Sequence, residues 1–303
     1  MLQTPTAATM QALRQAIRAQ EDSLRGSGQR TVVPLGLPAV DAALPWGGLP
    51  VGSLHEVCAA AAGGTGEDAV ALAFAAFLAG RFQQAARQAA GQGEGQGRGG
   101  GMAGRGEVVW CRLLRRRQEG GLPYGPGLRA HGLDPDALIL AEARREEDLL
   151  WALEEALRDG RAAVVLGEAG TDSDGTGLLP DIALRRLQLA AERAGLPLLL
   201  LRREPGGAGR ACPSLTRWRV QAHPSIRSAE GGRAGEGEAA ESATIADILP
   251  EPAWQLDLLR CRGGRPGQWT VAGGLAVPVG QRGRPGGRPG GRADGPLAGI
   301  APG

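Results

Sequence analysis

A chain of 303 residues is long enough to bury a full core and, by length alone, to hold one or two domains. Its 51 glycines and 21 prolines gather in tracts that cannot pack, which lowers the expectation to one ordered domain of ordinary size. A formal net charge of +2 excludes any argument from charge alone for a nucleic-acid or membrane partner.

Met10, Leu13, Ile17 and Leu24 recur at helical spacing, with Arg14, Arg18 and Glu21 on the other faces. Residues 1–25 are therefore expected to hold an amphipathic helix that docks on its own core or receives a partner. A core is expected over 26–226. It opens with a turn-rich lead-in, Leu35 to Leu44 followed by Gly47-Gly48-Leu49-Pro50, that delivers the chain into the strand Leu54-His55-Glu56-Val57-Cys58. A glycine-bearing loop and an apolar helix follow.

That strand, loop and helix have the layout of a phosphate-binding loop. The working form is G-x-x-x-x-G-K-[ST], because stacked backbone N–H groups and a lysine neutralise the phosphates while a hydroxyl reaches Mg²⁺. Here the loop reads Gly63-Gly64-Thr65-Gly66: Thr65 takes the lysine position, Gly66 takes the hydroxyl position, and the chain contains no lysine at all. Glu67 and Asp68 then open the helix where an anion would sit. No cofactor is expected in such a loop.

The helix is expected to give out near Arg81-Phe82, and residues 83–106, rich in Gln, Gly, Ala and Arg, to form a mobile insertion. Glu107 to Cys111 is a buried strand. Arg112, Arg115, Arg116 and Arg117 follow it, just past the strand end where α/β sheets bind ligands; the cluster is read either as a DNA-phosphate contact or as a solvated face. A short helix lies between turns over 122–135, with His131 at its C-terminal end, where a cation suits the dipole. Ala137 to Ala141 is a strand, and Glu146 to Gly160 is a helix with its stop.

In a P-loop ATPase the strand Ala162 to Glu168 would end in the metal-holding aspartate. Gly167 stands in that place here and Glu168 follows it, as a metal or water ligand or as a structural carboxylate. Asp181 to Gly195 reads as another helix, and Leu198 to Leu201 as a central parallel strand. The alternation argues an α/β fold with a mostly parallel sheet flanked by helices.

Thr216 to Val220 alternates and is expected as an antiparallel strand on the far side of the sheet. Residues 227–250 form a linker, 251–273 a β-hairpin packing on the core, and 274–303 a disordered Gly/Arg/Pro tail. Trp254, Arg260, Arg262 and Trp269 are candidate partner-binding residues, with burial of the hairpin on the core as the other reading of the tryptophans. The four cysteines lie far apart with no C-x-x-C pair, which points to reduced structural thiols and no metal site. No run resembling a leader peptide or a membrane span is read, and a cytoplasmic protein is expected.

The lead-in and first strand resemble the RecA core. Gly47-Gly48-Leu49-Pro50, Leu54-His55-Glu56-Val57, Tyr124 to Leu128, Glu147 to Arg158, Arg186 to Glu192, Thr216-Arg217-Trp218, and Leu258 to Gly264 with Trp269 occur in an order that resembles, more narrowly, the ImuA family of damage-inducible mutagenesis proteins. The resemblance implies a RecA-like core serving as an accessory in SOS translesion synthesis. It also implies as partners a catalytically inactive Y-family polymerase-like protein, ImuB, and an error-prone C-family polymerase, with RecA itself a further candidate. No catalytic residue carries over, so an enzyme is not expected. Two other readings remain at this stage: a cell-division inhibitor of the SulA type, and an ATPase with a divergent loop.

Overall fold

The computed structural model describes residues 31–59, 65–92, 106–115, 121–169, 179–203, 213–226, 251–272 and 275–279. The expected N-terminal helix and the 227–250 linker lie outside them, as does the tail beyond residue 279. A small antiparallel pair, β1 (Val32–Val33) and β2 (Leu49–Pro50), brackets the short helix α1 (Pro38–Asp41). The Asp41 carboxylate accepts from the backbone N–H groups of Leu35, Gly36 and Leu37, which fixes the lead-in ahead of the main sheet.

The chain then alternates. In order come β3 (Leu54–Ala59), α2 (Thr65–Gln92), β4 (Val108–Leu113), α3 (Gly125–Ala130), β5 (Leu138–Ala143), α4 (Glu146–Asp159), β6 (Val164–Glu168), α5 (Asp181–Ala194) and β7 (Leu198–Arg203). Four more strands close the fold: β8 (Thr216–Ile226), β9 (Glu251–Cys261), β10 (Gly267–Ala272) and β11 (Leu275–Val279). The main sheet has nine strands in the order β11-β10-β9-β8-β3-β7-β6-β4-β5. β3, β4, β5, β6, β7 and β8 run parallel, and β9 to β11 are antiparallel.

Strand periodicity divides the core in two. His55, Val57 and Ala59 share a face with Leu199 and Leu201, and against it packs α2, whose Phe74, Phe77 and Phe82 meet Trp110, Trp218 and Trp254 in one apolar cluster. Leu54 shares the opposite face with Leu198 and Leu200. There α4 and α5 supply Leu149, Leu153, Leu157, Leu184 and Leu187 to a second cluster. Both of these helices stop at a left-handed glycine, Gly160 at φ 67° and Gly195 at φ 62°, a conformation that costs glycine alone nothing.

Four expectations change. Residues 83–92 continue α2 and do not begin an insertion. The Gln83 side chain donates to the Gly106 carbonyl at 2.6 Å and accepts from the Asp134 N–H at 2.8 Å, while Ala86 is fully buried. A low-complexity tract of Ala, Gln and Arg is also a tract of good helix formers, and tertiary contacts decided between the two. β8 is parallel to β3, and its alternation arises because Trp218 and Val220 face α2 while Arg217 and Arg219 face the other way. Leu275–Val279 adds a strand to the hairpin where a disordered tail was expected. Finally, α2 over Asp68–Gly91 is by length and composition long and apolar enough to cross a membrane. Its burial between sheet and loops, 61% of the window, is that of a core helix.

Candidate functional site

The carboxyl ends of the parallel strands are where α/β sheets place their sites. Gly63 and Gly64 lie outside the described residues, while Thr65 and Gly66 form the first turn of α2. At the end of β6, Gly167 packs so tightly that a Cβ on it would lie 2.9 Å from Leu153 Cδ1 and 3.1 Å from Leu200 Cδ1. The position that would carry the metal-holding carboxylate is therefore filled by the side chains that seat α4 on the sheet. Glu168, 5% exposed, projects to the α2 face in register with Arg112 of β4, and Arg112 is in register with Glu142 of β5.

This row of alternating charge engages the basic cluster. Arg112 is buried, donates from Nε and Nη2 to Glu142 Oε1 at 3.1 and 2.7 Å, and from Nη1 to the Gly121 carbonyl at 2.8 Å. It is not a surface cation and cannot serve as a phosphate contact in this state. Arg115 lies 3.7 Å from Glu146, and Arg116 and Arg117 fall outside the described residues. Among the described residues, no group of three or more His, Cys, Asp or Glu is arranged to hold a metal ion. Cys58, Cys111 and Cys261 are buried free thiols, and burial raises the last two to about 11.

Sequence reasoning missed two polar constructions on β3. His55 is wholly buried: Nε2 lies 3.0 Å from the Pro50 carbonyl, which can only accept, so Nε2 carries the proton. Nδ1 then accepts from the Thr216 hydroxyl at 2.8 Å, and that oxygen accepts from Trp218 Nε1 at 3.0 Å. Burial lowers the imidazole to about 4, so it is neutral. On the opposite face, Glu56 is fully buried with Arg217 Nε at 3.1 Å and Arg202 Nε at 3.3 Å, two guanidinium groups around one carboxylate. The adjacent polar pair His55-Glu56 inside an apolar strand was the available signal.

The hairpin is largely internal. Trp254, 5% exposed, packs edge-on to Phe74 and Phe77 with ring centroids at 5.7 and 5.9 Å, and lies 5.5 Å from His131. Trp269 meets Trp218 at 6.2 Å. Both tryptophans thus bury the hairpin on the core and present no free anchor. Arg262 donates to the Pro213 carbonyl at 3.2 Å, and half-buried Arg260 stands opposite Arg217 in the β8–β9 ladder. His131 caps a helix of only six residues, and burial lowers its pKa.

Fold and strand order define the class: an α/β protein with a RecA-like core, its central strand β3 followed along the chain by the long helix α2. No family model matches the chain. It is 34% identical over 258 residues to Protein ImuA from two strains of Caulobacter vibrioides, covering 81% of this chain and 86% of each relative. The chain belongs to the ImuA family of mutagenesis proteins.

Proposed function

We propose that this chain is a non-catalytic accessory of SOS-induced translesion DNA synthesis, a cytoplasmic adaptor that binds an inactive Y-family polymerase-like protein, ImuB, and an error-prone C-family DNA polymerase. Family membership supports the setting. The observation that carries the non-catalytic part is Gly167, packed by Leu153 and Leu200 where a metal-holding carboxylate would have to stand. With Thr65 in the lysine position and no lysine in the chain, the loop also lacks the cation that stabilises phosphoryl transfer. A RecA-like scaffold without that electrostatic machinery retains surfaces for holding other proteins.

The test is co-purification of the full chain with the Y-family partner, together with versions lacking residues 1–25 or 280–303, and nucleotide binding measured on the same samples. Capture of the partner without nucleotide binding is the expected result. Failure of capture with micromolar ATP binding would overturn the adaptor reading in favour of an ATPase with a divergent loop.

A further inference from the structure

Toward the carboxyl ends of the central strands, on the face opposite the one where α2 packs, the sheet carries a charged cluster. Arg202 of β7, Cys58 of β3 and Arg219 of β8 stand in one register row. Glu56 and Arg217 stand together two residues earlier, and Arg260 of β9 lies opposite Arg217. Strand ends of this kind are where α/β sheets bind ligands.

Among the described residues the cluster sets four arginines against two carboxylates, Glu56 and Asp257, and both acids are already engaged. Asp257 Oδ2 accepts from Arg219 Nε and Nη2 at 2.9 and 2.8 Å, and its Oδ1 accepts from Gln255 and Gln268 at 3.3 and 2.8 Å. Glu56 is fully buried, and its Oε2 accepts from Arg217 Nε at 3.1 Å while lying 3.3 Å from Arg202 Nε. Arg202 is the residue left short. It is only 4% exposed, yet neither its Nε nor its Nη1 makes a hydrogen bond, and the acid nearest to it is the one that Arg217 already uses. Burying the N–H donors of a charged group without an acceptor is costly, and such a group is one of the marks of an ion site.

We infer that Arg202, with Arg217 and Arg219 beside it, is a binding site for a phosphate group. Neighbouring strands lie about 4.8 Å apart, so Arg202 and Arg219 leave the backbone roughly 10 Å from each other, on either side of the short Cys58 side chain. Two guanidinium groups converging from that spacing can hold one tetrahedral oxyanion between them. Guanidinium is planar, permanently charged and matched to paired phosphate oxygens, and Arg202 brings donors that no protein acceptor uses. The excess of arginine over acid rules out a cation. A phosphate also offers more acceptor oxygens than a carboxylate, enough to meet Arg202 and a second arginine at once. Free phosphate and the phosphodiester of a nucleic-acid strand present this same group, and the site goes beyond the adaptor reading without depending on it.

The experiment uses the full chain at an ionic strength held constant with chloride. Thermal melts and calorimetric titration with inorganic phosphate, and fluorescence anisotropy with a single-stranded oligonucleotide, compare wild type with R202Q and R202K. R202Q leaves Glu56 paired one to one with Arg217, and R202K keeps the charge but loses the fork; melts without phosphate verify folding, and R202K decides should R202Q not fold. The expected result is that phosphate raises the wild-type melting temperature above the chloride control, and that the variants lose this rise together with at least tenfold in phosphate affinity. Oligonucleotide binding that phosphate competes away, and that the variants weaken at least tenfold, assigns the group to a nucleic-acid strand. Phosphate binding without oligonucleotide binding sensitive to the variants assigns it to free phosphate. No rise and no phosphate binding in wild type, or an equal rise in the variants, overturns the site, and capture of the Y-family partner is unaffected by either result.

Discussion

Acidification should destabilise this fold through one buried imidazole. His55 has an ordinary value of 6.5 in the unfolded chain and is lowered to about 4 by burial in the folded one. Above pH 6.5 both states are neutral and the group contributes no pH dependence. Between 6.5 and about 4 the unfolded chain takes up a proton that the folded chain refuses, so stability falls as pH falls. At about 1.36 kcal/mol per pH unit, that interval is worth roughly 3 kcal/mol. The protonated ring would also have to turn Nδ1 from acceptor to donor, breaking the relay from Trp218 through Thr216. Carboxylates titrate over the same range, so the measurement is a difference: urea unfolding of wild type and His55→Gln at pH 7, 6, 5 and 4.5. Glutamine keeps a donor and an acceptor but does not titrate. Wild type should lose stability relative to the variant by about 2 to 3 kcal/mol over that range, and parallel curves would refute the assignment of a neutral, buried His55.

Replacing Glu56 by Gln leaves Arg202 and Arg217 buried around a neutral group, and should cost about 3 to 5 kcal/mol in urea unfolding. Gly167→Asp, which would restore the acidic position of an ATPase, should instead destabilise the fold by more than the ~1–3 kcal/mol of ordinary overpacking and yield no ATP hydrolysis. Gly167→Ala and Leu153→Ala should be less than additive, the double variant losing less stability than the sum of the two single ones, if the clash is the cause. Trp254→Ala should lower stability by about 3 to 5 kcal/mol, and exposed Trp151→Ala by less than about 0.5 kcal/mol, separating core from surface tryptophan in one thermal-melt series. Cys111 and Cys261, held near 11, should resist alkylation at pH 8 and label only on unfolding, as read by peptide mass spectrometry.

By itself the sequence determined the alternation of elements, because periodicity and stop signals are local: the apolar run Leu198 to Leu201, the helix closed by Gly160 and the hairpin around Gly263 needed no partner to be legible. It also exposed what the loop lacks, since a missing lysine is a property of the string. Tertiary structure decided what depends on neighbours distant in the chain. Gln83 is helical because Gly106 and Asp134 satisfy its amide, β8 is parallel because it enters beside β3, and Arg112 is internal because β5 brings Glu142 to it. The same holds for the site. Composition shows arginines and tryptophans, but only packing distinguishes Trp254, enclosed by two phenylalanines, from Trp151, left in solvent, because burial is set by the elements that close over a side chain and not by the side chain itself.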